Sequence, residues 1–184
     1  SIMSSILKVD QLQDSGGNAI ITSDGSGNLT AGTIPAKTIG TGAVLQVVQS
    51  TYSTKDTIST LADTATGLSV SITPSSTSNK IMIFASCAIE TQPKTSGNDH
   101  GCAVNLRRGT TSILEQTRST SYNESGNHKR VVNIQYLDTP NTTSSTAYTI
   151  YINPYQNNGG SNVNLNTNYQ GTDTSVITAM EIAG

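Results

Sequence analysis

Two histidines, two cysteines and twelve carboxylates are the groups in this 184-residue chain best suited to acid–base, nucleophilic or metal chemistry. His100 follows Asp99 in the turn-like stretch NDHG with serines nearby, which are the ingredients of a Ser-His-Asp triad. A triad also needs one activated serine, and the GxSxG elbow that would present it is absent. His128 precedes Lys129 at a loop-to-strand junction and reads as a solvated edge residue. With the histidines far apart in sequence and no CxxC or HExxH, zinc is not indicated. DGSGN, from Asp24 to Asn28, alternates oxygen groups as calcium loops do, but lacks the downstream bidentate Glu and reads as a tight turn. Glycoside cleavage needs paired carboxylates in a cleft. Glu90, Asp99, Glu115, Glu124, Asp138 and Asp173 fall mostly at predicted strand ends or in loops, and no pair stands out. These residues point away from an enzyme, and no motif implies a cofactor.

The most suggestive polar surface is an asparagine ladder. Asn162, Asn164, Asn166 and Asn168 alternate with Val163, Leu165 and Thr167, so the amides are expected to face outward, with Tyr151 and Tyr155 nearby in sequence. Aromatic faces beside amide forks are the elements of a sugar site. The same ladder also suits a solvated strand face, or an interchain row at a symmetry axis.

The elements that must position such groups are strands. Charged residues make up 12% and aromatics 4%, and Ser, Thr, Asn and Gly supply most of the remainder. Ser, Thr and Asn compete with helical hydrogen bonds, whereas Thr and Val suit a pleated sheet. In residues 67–90, Leu68, Val70 and Ile72 alternate with Ser69, Ser71 and Thr73. Pro74 then ends the ladder, and SSTSN turns the chain. Ile81, Met82, Ile83, Phe84, Ala85, Cys87, Ala88 and Ile89 follow, apolar on both faces, so this central strand needs cover on both. The terminal strand SVITAMEIA has the same character. Ile81, Ile83, Phe84 and Ile89, with Val176, Ile177, Met180 and Ile182, are therefore expected to bury surface within and between subunits.

Other strands are predicted at residues 43–52, 102–108, 112–117, 129–137, 147–153 and 162–169. Val132, Ile134 and Tyr136 should point in, and Asn133 and Gln135 out. ETQPKTSGNDHG and RSTSYNESGNH read as long exposed loops. About nine strands and no helix make an all-β fold, an antiparallel two-sheet β-sandwich of jelly-roll type, over residues 43–184. Residues 1–42 differ. Ile6, Leu7, Val9, Leu12, Ile20, Ile21, Leu29 and Ile34 are scattered among SGGN, DGSGN and AGTIPAK, an extended strand-and-turn arm that cannot bury a core alone. Such an arm is expected to become ordered on assembly, with TIGTG as its hinge. Met3 is a candidate initiator.

A hydrophobic fraction of 34% is lean against the roughly 45–50% usual for globular domains, which suggests burial by self-association. Net charge is −2, with no run of Lys or Arg longer than a pair, which disfavours a phosphate-tracking surface and nucleic acid as partner. No segment approaches the roughly 20 apolar residues of a membrane helix, and the first residues lack a secretory signal pattern.

Several stretches in order, SSILKVDQLQDSGGN, VLQVVQSTYST, DTATGLSVSITPSSTSNKIMI, LRRGTT, QYLDTPNTTSSTAYTIYI and SVITAMEIAG, cover most of the chain. Together they resemble small virion appendage proteins of tailed, cyanophage-type bacteriophages, which are tail-fibre-like. The resemblance implies a virion protein assembled in the host cytoplasm. Residues 1–42 would be its attachment segment to another virion protein, and a C-terminal sandwich would form a homotrimeric knob. An alternative within the same frame is a receptor-binding tip recognising host surface glycan. It carries no catalytic residues with it. A reducing cytosol would favour Cys87 and Cys102, both on inward positions, as buried thiols over a disulfide.

Overall fold

In the computed structural model, residues 9–31, 40–95, 99–116, 119–121, 125–155, 161–167 and 173–184 are described, and every regular element among them is a strand. Ile6, Leu7, Ile34, Glu124 and Asn168 lie outside the described residues. The chain divides into two units, Ser1–Gly40 and Thr41–Gly184.

In the first unit β1 (Gln11–Gln13), β2 (Ala19–Ser23) and β3 (Leu29–Ala31) form an antiparallel meander. Its two turns are built alike. Asp14 Oδ1 accepts the amides of Gly16 and Asn18 at 2.8 and 2.9 Å, and Asp24 Oδ1 accepts those of Ser26 and Asn28 at 2.7 and 3.1 Å. Gly17 and Gly27 take φ of 81° and 91°, the left-handed region a side chain resists. The Asp24 oxygens are thus committed to closing a turn. Val9, Leu12 and Ile20 stay exposed in this unit.

The second unit is an antiparallel β-sandwich. One sheet runs β10 (Ser119–Ser121), β8 (His100–Arg108), β12 (Thr146–Pro154), β6 (Thr64–Ile72), with β9 (Thr111–Leu114) also on β8. The other runs β4 (Val44–Tyr52), β14 (Ser175–Ile182), β7 (Lys80–Pro93), β13 (Ser161–Leu165), β5 (Asp56–Ile58), with β11 (His128–Asp138) on the far edge of β7. The long strands β6, β7, β8, β11, β12 and β14 alternate between sheets, the jelly-roll pattern expected from the sequence. Alternation becomes layering: Leu68, Val70 and Ile72 meet Ile81, Ile83, Cys87, Ile89, Ile134, Ile150 and Ile177 in one dry core.

Polar residues close the ends of that core, each with partners. Tyr148 is fully buried and its Oη donates to Asp138 Oδ2 at 2.7 Å, while Arg108 Nη1 lies 2.8 Å from the same oxygen. Burial first, then the hydrogen bond to Asp138, pushes the Tyr148 phenol far up. Glu181 points inward from β14, and its carboxylate accepts from Gln46 Nε2, Ser75 N, Ser75 Oγ and Asn79 Nδ2 at 2.5–2.7 Å. Burial would raise its pKa, but those bonds outweigh burial and hold it below the ordinary value.

Two loop expectations are corrected. β7 extends to Pro93 and β8 begins at His100, so the first loop is short and His100 is fully buried. Gly101 explains it: its amide donates to Ser161 Oγ and its carbonyl accepts the Tyr155 amide, which draws the strand inward. The second loop contains β10, paired to His100, Gly101 and Cys102.

Candidate functional site

β7 pairs with β11 on one side and β14 on the other, and β14 pairs with β4. Residues opposite one another share a face, so the registers set the outward surface row by row. One row is Leu137, Met82, Met180, Val47; the next is Gln135, Phe84, Thr178, Gln49; the third is Asn133, Ser86, Val176, Thr51. Lys80, Ile182 and Val44 flank these rows at one end, and Ala88 with Val131 at the other. No charged residue occurs in the three rows, which run across four strands. Val44, Val47, Val131 and Leu137 are 55, 54, 62 and 47% exposed. Small Ser86 leaves a shallow depression of about 210 Å³ between Phe84, Val176 and Asn133. Scattered apolar side chains on a surface need no explanation, but the row of Leu137, Met82, Met180 and Val47 is apolar across all four strands, and Phe84 and Val176 adjoin it among uncharged amides and hydroxyls, which marks a candidate contact site.

The residues expected to bury surface thus divide by parity. Ile81, Ile83, Ile89 and Ile177 are core, within 2% of complete burial by their own subunit. Phe84, Val176, Met180 and Ile182 are half-buried on the outward face. Sequence reading missed their companions Val44, Val47, Val131 and Leu137. Their apolar character was the available signal, but the irregularity that puts Val44 and Val47 on one face, and the register that joins β4 and β11 to β14 and β7, were not.

The proposed sugar-contact residues do not share a surface. Tyr151 faces outward from the sheet containing β12, where the Arg107 guanidinium covers its ring at 4.3 Å. Asn162 and Asn164 face outward from the other sheet, opposite Gln92 and Glu90. Consecutive strands β12 and β13 lie in different sheets, so nearness in sequence is lost. Two of the amides are nevertheless buried. Asn164 is 1% exposed, donating to Glu90 Oε1 at 3.0 Å and accepting from Thr57 Oγ1 at 2.8 Å. Asn166 is fully buried beyond the strand end with φ 56°. Its Nδ2 donates to the carbonyls of Tyr52 and Thr54, and its Oδ1 accepts from Ser175 Oγ. Together with Ser175 it plugs the point where β7 changes partner from β14 to β13. Tyr155, half-buried, follows the end of β12.

The titratable groups also sit differently than expected. His100 Nδ1 lies 3.0 Å from Thr91 Oγ1, and its ring stands 5.1 Å from that of His128, so the two histidines are neighbours in space. His128 is half-buried in β11, not a solvated edge residue. Cys87 and Cys102 are buried free thiols. Burial, then the proximity of Cys102, pushes Cys87 up to about 12, and burial also raises Cys102. Among the described residues no group of three or more His, Cys, Asp or Glu is placed to hold a metal ion.

No family model matches the chain, and no curated protein matches it. Solved structures that align with it include infectious bursal disease virus Gx strain, at 13% identity and TM-score 0.33 over 76% of this chain. The Gt strain aligns at 11% and 0.35 over 86%, and the VP2 subviral particle of that virus at 14% and 0.30 over 75%. The alignments span 37–41% of those longer chains. Likeness at this level carries no argument about function.

Proposed function

We propose that the chain is a non-enzymatic structural protein of a tailed-phage virion. In this reading the sandwich assembles as a homotrimer through the outward face of β11, β7, β14 and β4, and residues 1–42 attach it to another virion protein. The observation that carries the reading is the apolar row Leu137, Met82, Met180 and Val47 crossing four strands with no charge in the two rows beside it, and with Val44, Val47, Val131 and Leu137 about half exposed or more in the single subunit. The lean composition and the meander with exposed Val9, Leu12 and Ile20 support it, because both gain burial only from neighbours. The trimeric state and the virion location come from the resemblance of the sequence to phage appendage proteins. Native mass spectrometry of the full chain at micromolar concentration tests it. The expected species has three times the 19.2 kDa subunit mass. A persistent monomer would overturn the proposal.

A further inference from the structure

The apolar face owes its β4 end to an extra residue in that strand. Glu181 lies opposite Gln46, but Ile182 lies opposite Val44, so Leu45 is left over as a bulge. The bulge turns Val44 outward beside Val47, while Gln46, opposite Glu181, points inward. One carboxylate holds this arrangement. Glu181, 1% exposed, accepts Gln46 Nε2 on Oε2 at 2.6 Å. Its Oε1 accepts Ser75 N at 2.6 Å, Ser75 Oγ at 2.7 Å and Asn79 Nδ2 at 2.5 Å. The carboxylate thus ties β4 to the turn between β6 and β7. Both amides are fixed as donors. Gln46 Nε2 also donates to the Thr73 carbonyl at 2.8 Å, and Asn79 Oδ1 accepts the Gly184 amide at 3.1 Å. Turning the first over would set oxygen against oxygen, and the second nitrogen against nitrogen. The groups meeting the carboxylate neither carry charge nor titrate: Gln46 from β4, Ser75 and Asn79 from the turn, and Ile81 opposite it on β7. Lys80, one step along β7, pairs with Ile182 on the outward face.

We propose that Glu181 is an acid-sensitive latch on the β4 end of the apolar face: ionised, it fixes the bulge and Val44; protonated, it releases Gln46 and lets that end move. A proton on Oε2 would point at Gln46 Nε2, which is a donor and has no lone pair to offer. On Oε1 it would meet Ser75 N and Asn79 Nδ2, and only Ser75 Oγ could turn to accept it. Either way the bond to Gln46 is lost or loses its charge, and charge-assisted bonds are the stronger ones. Backbone bonds from Gly42 N to Ala183 O and from Ala183 N to Ala43 O keep β4 attached, so release loosens its end without unfolding it. A loose Val44 must be ordered again on contact, and that ordering weakens association. The effect on association rests on the proposed assembly; the latch itself does not.

Hydrogen exchange of the β4 amides from Val44 to Val47, with sedimentation equilibrium of the full chain, tests it on wild type, Glu181→Gln and Gln46→Ala. Glu181→Gln copies the protonated state, because it replaces the charge with a neutral amide among donors. At pH 7 both variants should stay folded, exchange those amides about tenfold faster and associate about tenfold more weakly. As pH falls below 4.5, the ordinary glutamate value, wild type should approach Glu181→Gln in both readouts. Other carboxylates titrate in that range, so the difference between the two proteins at each pH isolates Glu181. Should Glu181→Gln fail to fold, Gln46→Ala alone decides, since it leaves the carboxylate ionised with its Ser75 and Asn79 donors. Equal exchange in wild type and the folded variants would overturn the latch. Faster exchange with unchanged association would overturn its link to the apolar face. A wild type that is monomeric at pH 7 would instead overturn the assembly, and exchange would still decide the latch.

Discussion

Placing a carboxylate at each end of the wholly apolar row separates assembly from folding. Val47 and Leu137 flank Met180 and Met82 in that row and are 54 and 47% exposed in the single subunit. In a monomer, Val47→Glu with Leu137→Glu puts two charges into water, a change of about 0.5 kcal/mol or less for each. In an assembly that covers the row, each site first loses the apolar gain. Half of the roughly 1.5–3 kcal/mol for complete burial of Val or Leu is about 1 kcal/mol. Each then adds the cost of burying an unpaired carboxylate, several kcal/mol. At about 3 kcal/mol for each carboxylate the sum is about 8 kcal/mol per subunit, and at about 1.4 kcal/mol per tenfold it weakens association roughly a hundred-thousand-fold or more. Sedimentation equilibrium on the variant should give a monomer at micromolar concentration, while thermal unfolding shows a folded protein. Val47→Leu, which conserves the apolar surface, should leave the wild-type mass. A folded double-Glu variant that keeps the wild-type mass would refute the assignment of this face.

Three further outcomes follow from the polar interior. Asn166→Ala removes the three side-chain hydrogen bonds of a fully buried amide and places Ala at φ 56°, so about 3 kcal/mol of stability should be lost. Asn166→Gly, which tolerates that backbone, should lose less, and equal unfolding temperatures for both variants would contradict the backbone part. The pKa of Glu181 is lowered on folding, so its carboxylate adds stability above the ordinary glutamate value of 4.5. That stability declines as pH falls from there through the folded value. Denaturation midpoints of wild type should therefore drop more steeply in that window than those of Glu181→Gln, and parallel curves would argue against it. Cys87, pushed up to about 12, and Cys102, also raised, should resist iodoacetamide at neutral pH in the native protein and react once denatured, as mass spectrometry can count.

Much of the fold was legible because period-two patterning is local. Leu68, Val70 and Ile72 in β6 and the doubly apolar run in β7 define which side chains face the core before any partner strand is known. What stayed hidden depends on partners. β5, β9 and β10 have three or four residues each, too few for a period, and exist because longer neighbours offer free edges. NDHG has turn composition, yet His100 is interior because Ser161 and Tyr155, distant in sequence, claim the backbone of Gly101. The asparagine ladder alternates as expected at Val163 and Leu165, but alternation fixes a face and not its exposure. Asn164 is buried by its bonds to Glu90 and Thr57. The cavity lined by Asn105, Gln116 and Asn153 was invisible for the same reason, since these residues sit on three segments that only the pairing of β8 with β12 and β9 brings together.

The two outward faces of the sandwich differ in a way that orders the proposals. One sheet shows Met82, Phe84, Val176 and Met180 in uncharged rows; the other shows Ser69, Thr149, Tyr151, Asn153 and Arg107 on its outward positions. The first gains more by being hidden, because its row of Leu137, Met82, Met180 and Val47 is wholly apolar, whereas covering the second would strip water from polar groups throughout and must replace their bonds.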